Sequence, residues 1–97
     1  MNCLKFEWDE LKESKNQKKH NISFEEATTV FNDSFGRLIP DPEHSESEER
    51  YILMGMSSKF KLLLVCHCEL NLNTIRIISA RKAEKFERKQ YEGFNHA

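Results

Sequence analysis

The longest uninterrupted apolar run in this 97-residue chain is Leu62–Cys66, "LLLVC", and it has the length of a strand. Side chains of a strand point alternately to opposite faces, so a run that is apolar at every position is buried on both. Such a strand belongs in the middle of a sheet, with other elements covering each face. The flanking sequence supplies them. "RYILMGM" and "KFKLLLVCHCE" read as a hairpin turning around Ser57 and Ser58. "TIRIISA" is a further strand, "FGRLI" another, and "CLKFEW" alternates well enough for a short first strand with Leu4, Phe6 and Trp8 on one face.

Helix signals occupy the remaining stretches. Asp9 caps a helix running to about Lys19, whose thin apolar content predicts a surface position with one narrow buried edge. Asn21 suits the left-handed conformation of a helix stop. Ser23 and Glu26 form a capping box for a second helix, with Phe24, Ala27, Val30 and Phe31 as its apolar stripe, and "NDSFG" ends it. Two prolines in "PDPEHSESEE" forbid regular structure there, and residues 82 to 92 form a last helix. The order β-α-α-β-β-β-β-α is that of one α+β domain over residues 1–97: an antiparallel sheet, two N-terminal helices and one C-terminal helix. Trp8 and Phe31 are expected in its core.

Composition excludes several classes. Hydrophobic content of 38% argues against disorder, and no run approaches the roughly 18 apolar residues of a membrane span. The N-terminal decapeptide lacks a signal-peptide core, and the odd number of cysteines suits a reducing compartment, so a cytoplasmic protein without membrane contact is expected.

Charge is distributed unevenly. Arg76, Arg81, Lys82, Lys85, Arg88 and Lys89 against Glu84 and Glu87 leave residues 74–91 at net +4 in a chain of net −1. Arg81, Lys85 and Arg88 recur on one helical face, with Lys82 and Lys89 beside it, which suits a nucleic acid or an acidic partner; a charge-balanced helix is the plainer alternative. Lys12, Asn16 and either Lys19 or His20 line a face of the first helix. That stripe suits a phosphodiester, and it equally describes an ordinary solvated helix. "DPEHSESEER" carries net −4, and within it Glu49 and Arg50 stand out because they enter a strand. Cys66, His67 and Cys68 resemble metal ligands, but adjacent strand residues point to alternating faces and cannot converge on one ion; the cysteines read better as small hydrophobes. Walker, nucleophile-elbow and dinucleotide-binding motifs are absent from the sequence.

The segment "FEWDELKESKNQKKHNISFEEATTVFND" resembles the opening of the BrnT family of ribonuclease toxins from type II toxin–antitoxin systems. The shared positions there are Phe6, Trp8, Asp9, Lys12, Asn16, Lys19, His20, Ser23, Phe24, Glu25, Ala27, Phe31 and Asp33. His44, Glu49, Arg50 and Gly55 match the middle of the family pattern. "IRIISARKA" with Glu87, Arg88 and Tyr91 matches its close. Asn21 departs from the family's usual glycine, but asparagine takes the same backbone conformation. The resemblance implies a RelE-like fold, RNA cleavage that inhibits translation, and neutralisation by a BrnA-type antitoxin with a ribbon-helix-helix DNA-binding part. DNA contact is then expected through the antitoxin complex alone.

With no ligand set for a metal legible in the chain, no cofactor is expected, and cleavage is expected to use the RNA's own 2′-hydroxyl. That needs a base, an acid, and cations for the charge developing at phosphorus. Arg76 and Arg81 are the candidates for phosphate stabilisation, assisted by Lys12 and Lys19. His20 or Glu49 is the candidate for proton transfer, Arg50 and Tyr91 complete the catalytic set, and Lys82, Lys85 and Arg88 are candidate RNA contacts. A straight strand would put Arg76 and Arg81 on opposite faces, so the reading requires a bulge or a strand end between them. Two rivals share the pattern: a toxin of RelE-like fold that inhibits a protein such as gyrase, and an RNA-binding module without catalysis.

Overall fold

In a computed structural model that describes residues 4–41 and 50–95, the apolar run lies where its pattern requires. It opens β4 (Leu62–Asn71), the central strand of a five-stranded sheet. β3 (Arg50–Met56) and then β2 (Arg37–Pro40) lie on one side of it. β5 (Thr74–Lys82) and then β1 (Lys5–Glu7) lie on the other. Leu63 and Val65 point to one face and Leu62 and Leu64 to the other, and all four are buried. α1 (Glu10–His20), α2 (Phe24–Thr29) and a 3-10 turn (Val30–Asn32) cover the first face, where Ile22, Phe24, Ala27 and Val30 meet Leu53, Leu63, Val65, Ile75, Ile77 and Ala80. α3 (Lys85–Asn95) covers one end of the second face through Tyr91, against Met54, Leu62 and Leu64. Among the described residues, no helix covers the other end of that face.

The sheet is antiparallel except at β1, which runs parallel to β5 with Lys5 opposite Thr74 and Glu7 opposite Arg76. β1 is not the hairpin neighbour of β5, so nothing in its connection forces reversal. Pro40 ends β2 opposite Tyr51, and it is tolerated because β2 is an edge strand. The last helix starts at Lys85, leaving Arg81 and Lys82 in β5 and not on a helical face with Lys85 and Arg88. Its start is fixed locally: the Glu87 carboxylate accepts from the Glu84 N–H at 2.8 Å.

The helix ends follow their residues. Asp9 Oδ1 accepts from the N–H groups of Leu11 (2.8 Å) and Lys12 (3.3 Å), and Asn21 closes α1 in the left-handed region at φ 59°. Ser23 Oγ accepts from the Glu26 N–H at 3.0 Å, which is half of the expected capping box. Glu26 does not reach back. Its buried carboxylate instead accepts from Ser57 Oγ at 2.8 Å, tying α2 to the β3–β4 turn.

Past Glu7, β1 no longer accompanies β5, and the β5 edge meets α1 there. Asn16 replaces the missing strand. Its Nδ2 donates to the carbonyls of Ala80 (2.9 Å) and Ile22 (3.0 Å), and its Oδ1 accepts from the Ala80 N–H at 3.1 Å. The side chain is buried and fully occupied, so this member of the α1 stripe is a backbone clip and not a substrate contact.

Burial ranks the core positions. Phe24 is completely buried, whereas Trp8 and Phe31 are half-buried at its margin. Phe24→Ala should therefore cost roughly 3–5 kcal/mol in urea unfolding, and Trp8→Ala and Phe31→Ala distinctly less. Equal losses at all three would show that the margin is packed as tightly as the centre.

Candidate active site

The β4–β5 ladder pairs Cys66 with Ser79 and then His67 with Ile77, leaving Ile78 as an extra residue. A bulge of this kind reverses the alternation beyond it. Arg76, opposite Cys68, and Arg81, opposite Leu64, consequently project from the same face, the one that α3 leaves open at its far end. Arg50 pairs with the other side of Cys68 and joins them there.

This half of the face holds a groove of about 550 Å³. Ile52, Leu64, Cys66 and Ile78 line it with apolar surface and Arg50, Arg81, His20, Asp41 and Ser79 with polar groups. His20 arrives from the last turn of α1, one turn beyond the Asn16 clip. Asp41 arrives because the β2–β3 ladder continues through its N–H, which donates to the Arg50 carbonyl at 3.0 Å. The Cys66 thiol donates to Asp41 Oδ2 at 3.5 Å, and burial together with that carboxylate pushes its pKa up to about 11.

Arg81 is held by three hydrogen bonds. Its Nη1 and Nη2 donate to the two oxygens of Glu87 at 2.9 and 2.8 Å, and Nη1 also donates to the Lys82 carbonyl at 3.2 Å. The hydrogen-bonded pair raises the Arg81 pKa and holds the Glu87 carboxyl below the usual range. Arg76 lies outside the groove. It shares a smaller depression, about 220 Å³, with Trp8, Asp9 and Lys12, and Ile78 borders both spaces. Its Nε and Nη2 donate to Glu7 Oε2 at 3.1 and 2.7 Å in a solvent-exposed pair.

The other sequence candidates are dispersed. Lys19 is exposed on α1 and Lys82 sits opposite Leu63, on the helix-covered side of the sheet. Lys85 and Arg88 are exposed on α3. Tyr91 is buried outside the groove lining, and its hydroxyl donates to Asp33 Oδ2 at 2.6 Å, an oxygen that also accepts from the Met56 N–H at 2.8 Å. Glu49 and His44 lie outside the described residues. His67 faces away from Cys66 and Cys68, buried against Phe31 with ring centroids 4.8 Å apart, and its Nδ1 lies 3.1 Å from the Val65 carbonyl. Burial lowers its pKa. Among the described residues, no three or more His, Cys, Asp or Glu side chains gather as a metal site.

Sequence reasoning missed Asp41, treated as part of an acidic loop, and the work of Asn16, Asp33 and Glu87. The one local signal lay in Glu87, three residues after Glu84 at a helix start, which is the spacing of a capping box.

A small mixed sheet covered by two helices on one face, with arginines and a histidine around the open half of the other, defines an α+β domain suited to anionic ligands. The family model described as "Ribonuclease toxin, BrnT, of type II toxin-antitoxin system" matches residues 8–87. The chain belongs to this family, whose description entails an RNA substrate and an antitoxin partner, and the resemblance seen in the sequence is upheld. The 1.1 Å crystal structure of the Brucella abortus ribonuclease toxin BrnT has a similar fold, with a TM-score of 0.66 over 84% of this chain and 99% of that one. At 20% identity the likeness concerns the fold. No curated protein matches the chain. Among the described residues, no helix is long and apolar enough to cross a membrane.

The Tyr91–Asp33 bond has a measurable pH signature. Burial first, then the bond to Asp33, pushes the Tyr91 pKa from 10.0 up to about 12. Burial opposes ionisation of Asp33, but the bonds from Tyr91, Met56 and Phe35 outweigh it and lower its pKa from 3.8. The tyrosine contribution is complete below pH 10 and lost as pH rises toward 12; the aspartate contribution is lost as pH falls below its ordinary value. Tyr91→Phe should cost roughly 1.5–3 kcal/mol at pH 7 and flatten the decline of stability above pH 10. Chemical denaturation of both proteins from pH 7 to 11.5 measures this, and an unchanged alkaline limb would contradict it.

Proposed function

We propose that the groove is the catalytic centre of an endoribonuclease that inhibits translation, built as one toxin domain over residues 1–97. The observation that carries this reading is the gathering of Arg50, Arg81 and His20 around one groove. RNA supplies its own nucleophile: the 2′-oxygen attacks the adjacent phosphorus, the bond to the 5′-oxygen breaks, and a 2′,3′-cyclic phosphate forms. Negative charge accumulates on the phosphoryl oxygens in the transition state, where fixed guanidinium groups stabilise it most. Arg81 and Arg50 take that role. His20 and Glu49, the latter next to Arg50 in the chain, are the candidates for the two proton transfers: one takes the proton of the 2′-hydroxyl and the other gives a proton to the departing 5′-oxygen. Arg76 and Lys12 hold the RNA beyond the Ile78 bulge. Tyr91 contributes by anchoring α3, while Lys19, Lys82, Lys85 and Arg88 serve the approach of polyanions. Guanidinium groups supply the charge stabilisation, so the reaction proceeds without a metal cofactor. Neither a binder nor an inhibitor of a protein target requires a histidine beside two groove arginines.

The proposed partner is a BrnA-type antitoxin with a ribbon-helix-helix DNA-binding part, meeting this toxin in the cytoplasm. An acidic antitoxin segment lands on the Lys85–Arg88 surface and covers the groove, and the complex carries the DNA contact. Opposite charge accelerates such an encounter. Charge reversal at Lys85 and Arg88 should slow association at low salt; an unchanged association rate would move the interface elsewhere.

Purified toxin should cleave single-stranded RNA in excess EDTA and leave cyclic or 3′-phosphate ends. Arg50→Ala should reduce the rate roughly 100- to 1000-fold. Loss of activity on chelation, restored by a divalent cation, would overturn the metal-independent chemistry. Absence of cleavage by any preparation of folded free toxin would overturn the nuclease reading.

A further inference from the structure

On charge alone, a groove arginine whose guanidinium is gripped by a carboxylate is a poor phosphate ligand, yet the atoms involved indicate otherwise. A guanidinium carries five N–H donors. In Arg81, Nη1 uses both of its own, on Glu87 and on the Lys82 carbonyl, and Nη2 uses one on Glu87. The Nε–H and the second Nη2–H are unengaged among the described residues, and they lie side by side on the adjoining edge of the same plane. That edge matches a pair of phosphate oxygens. Arg76 shows the contrary case: its Nε and Nη2 edge is the one that Glu7 occupies.

The Glu87 carboxylate is itself anchored. Its side chain is 11% exposed against 38% for Arg81, so it sits on the protein side of the pair with the guanidinium outward. Oε1 also accepts from the Glu84 N–H, which makes Glu87 part of the α3 cap. α3 is held in turn by Tyr91 on Asp33. An otherwise flexible side chain is thereby given one orientation by a buried group that does not line the groove.

We propose that Glu87 is a positioning residue: it occupies the Nη1/Nη2 edge of Arg81 so that the Nε/Nη2 edge is presented to a phosphate of the RNA. This rests on the proposed nuclease reading for its kinetic consequence and on geometry alone for the anion-binding edge.

Glu87→Gln keeps an acceptor oxygen for the Glu84 N–H while removing the charge and one half of the clamp, so helix content by circular dichroism should be retained. Its kcat on a short single-stranded RNA should fall by about 10- to 100-fold, with KM changed by less than about threefold. In an Arg81→Ala background the same substitution should have no further effect. Titration with inorganic phosphate, followed through the Arg81 Nε–H resonance, should shift that signal in the wild type and leave it unmoved in Glu87→Gln. Additive kinetic losses in the double variant, a rise in kcat, or an identical phosphate response in both proteins would each overturn the proposal. If no variant or wild type cleaves RNA while the phosphate response still depends on Glu87, the positioning role stands and the nuclease reading falls.

Discussion

The amide of Asn16 fixes the relation between the helical layer and the strand that carries the site. β1 accompanies β5 for three residues, and beyond Arg76 the β5 edge meets α1. A buried sheet edge with unmet N–H and C=O groups is costly, and one asparagine meets both groups of Ala80 along with the Ile22 carbonyl. Because α1 is clipped to β5 at this point, residues one turn to either side are placed as well. Lys12 reaches the depression beside Arg76, and His20 reaches the groove beside Arg81. The face of α1 that resembles a docking stripe thus has a structural centre and two ends that border the groove and the smaller depression.

The bulge at Ile78 is the second constraint. It brings Arg76 and Arg81 to one face, and Ile78 borders both the groove and the smaller depression. The cations are balanced differently in each. Arg76 pairs with Glu7 where both are about half exposed, an arrangement that water screens. Arg81 pairs with the nearly buried Glu87, and removing either partner would leave the other uncompensated. Alanine at Arg81 therefore carries a stability cost of its own, unlike a purely surface cation.

Much of the fold was legible because it depends on local rules. The apolar LLLV segment required cover on both faces, Asp9 and Ser23 had the chemistry of N-caps, and Asn21 suited a left-handed stop. Alternation alone separated Cys66 and Cys68 from His67. The site was legible in part, since the residues of the family pattern name Arg50, Arg81 and His20 without saying which of them meet. What escaped the sequence was register. Whether Arg76 and Arg81 share a face turns on one unpaired residue, and no residue type announces that Ile78 is the one. Partner choice escaped as well: Glu26 has the spacing of a capping-box member and bonds Ser57, Tyr91 bonds Asp33, and Asp41, one carboxylate of an acidic stretch, lines the groove. Each of these is a tertiary contact between residues far apart in the chain.

The proposed function requires RNA to occupy the groove face of the sheet, across the Ile78 bulge. The most direct measurement is a backbone and side-chain NMR titration of the toxin with a short RNA whose 2′-hydroxyls are methylated, so that it binds without being cut. Shifts are expected to concentrate at His20, Arg50, Ile52, Cys66, Ile78 and Arg81 and to extend to Lys12 and Arg76. Shifts confined to the outer surface of α1 and α2 or to α3, with the groove residues unmoved, would contradict it.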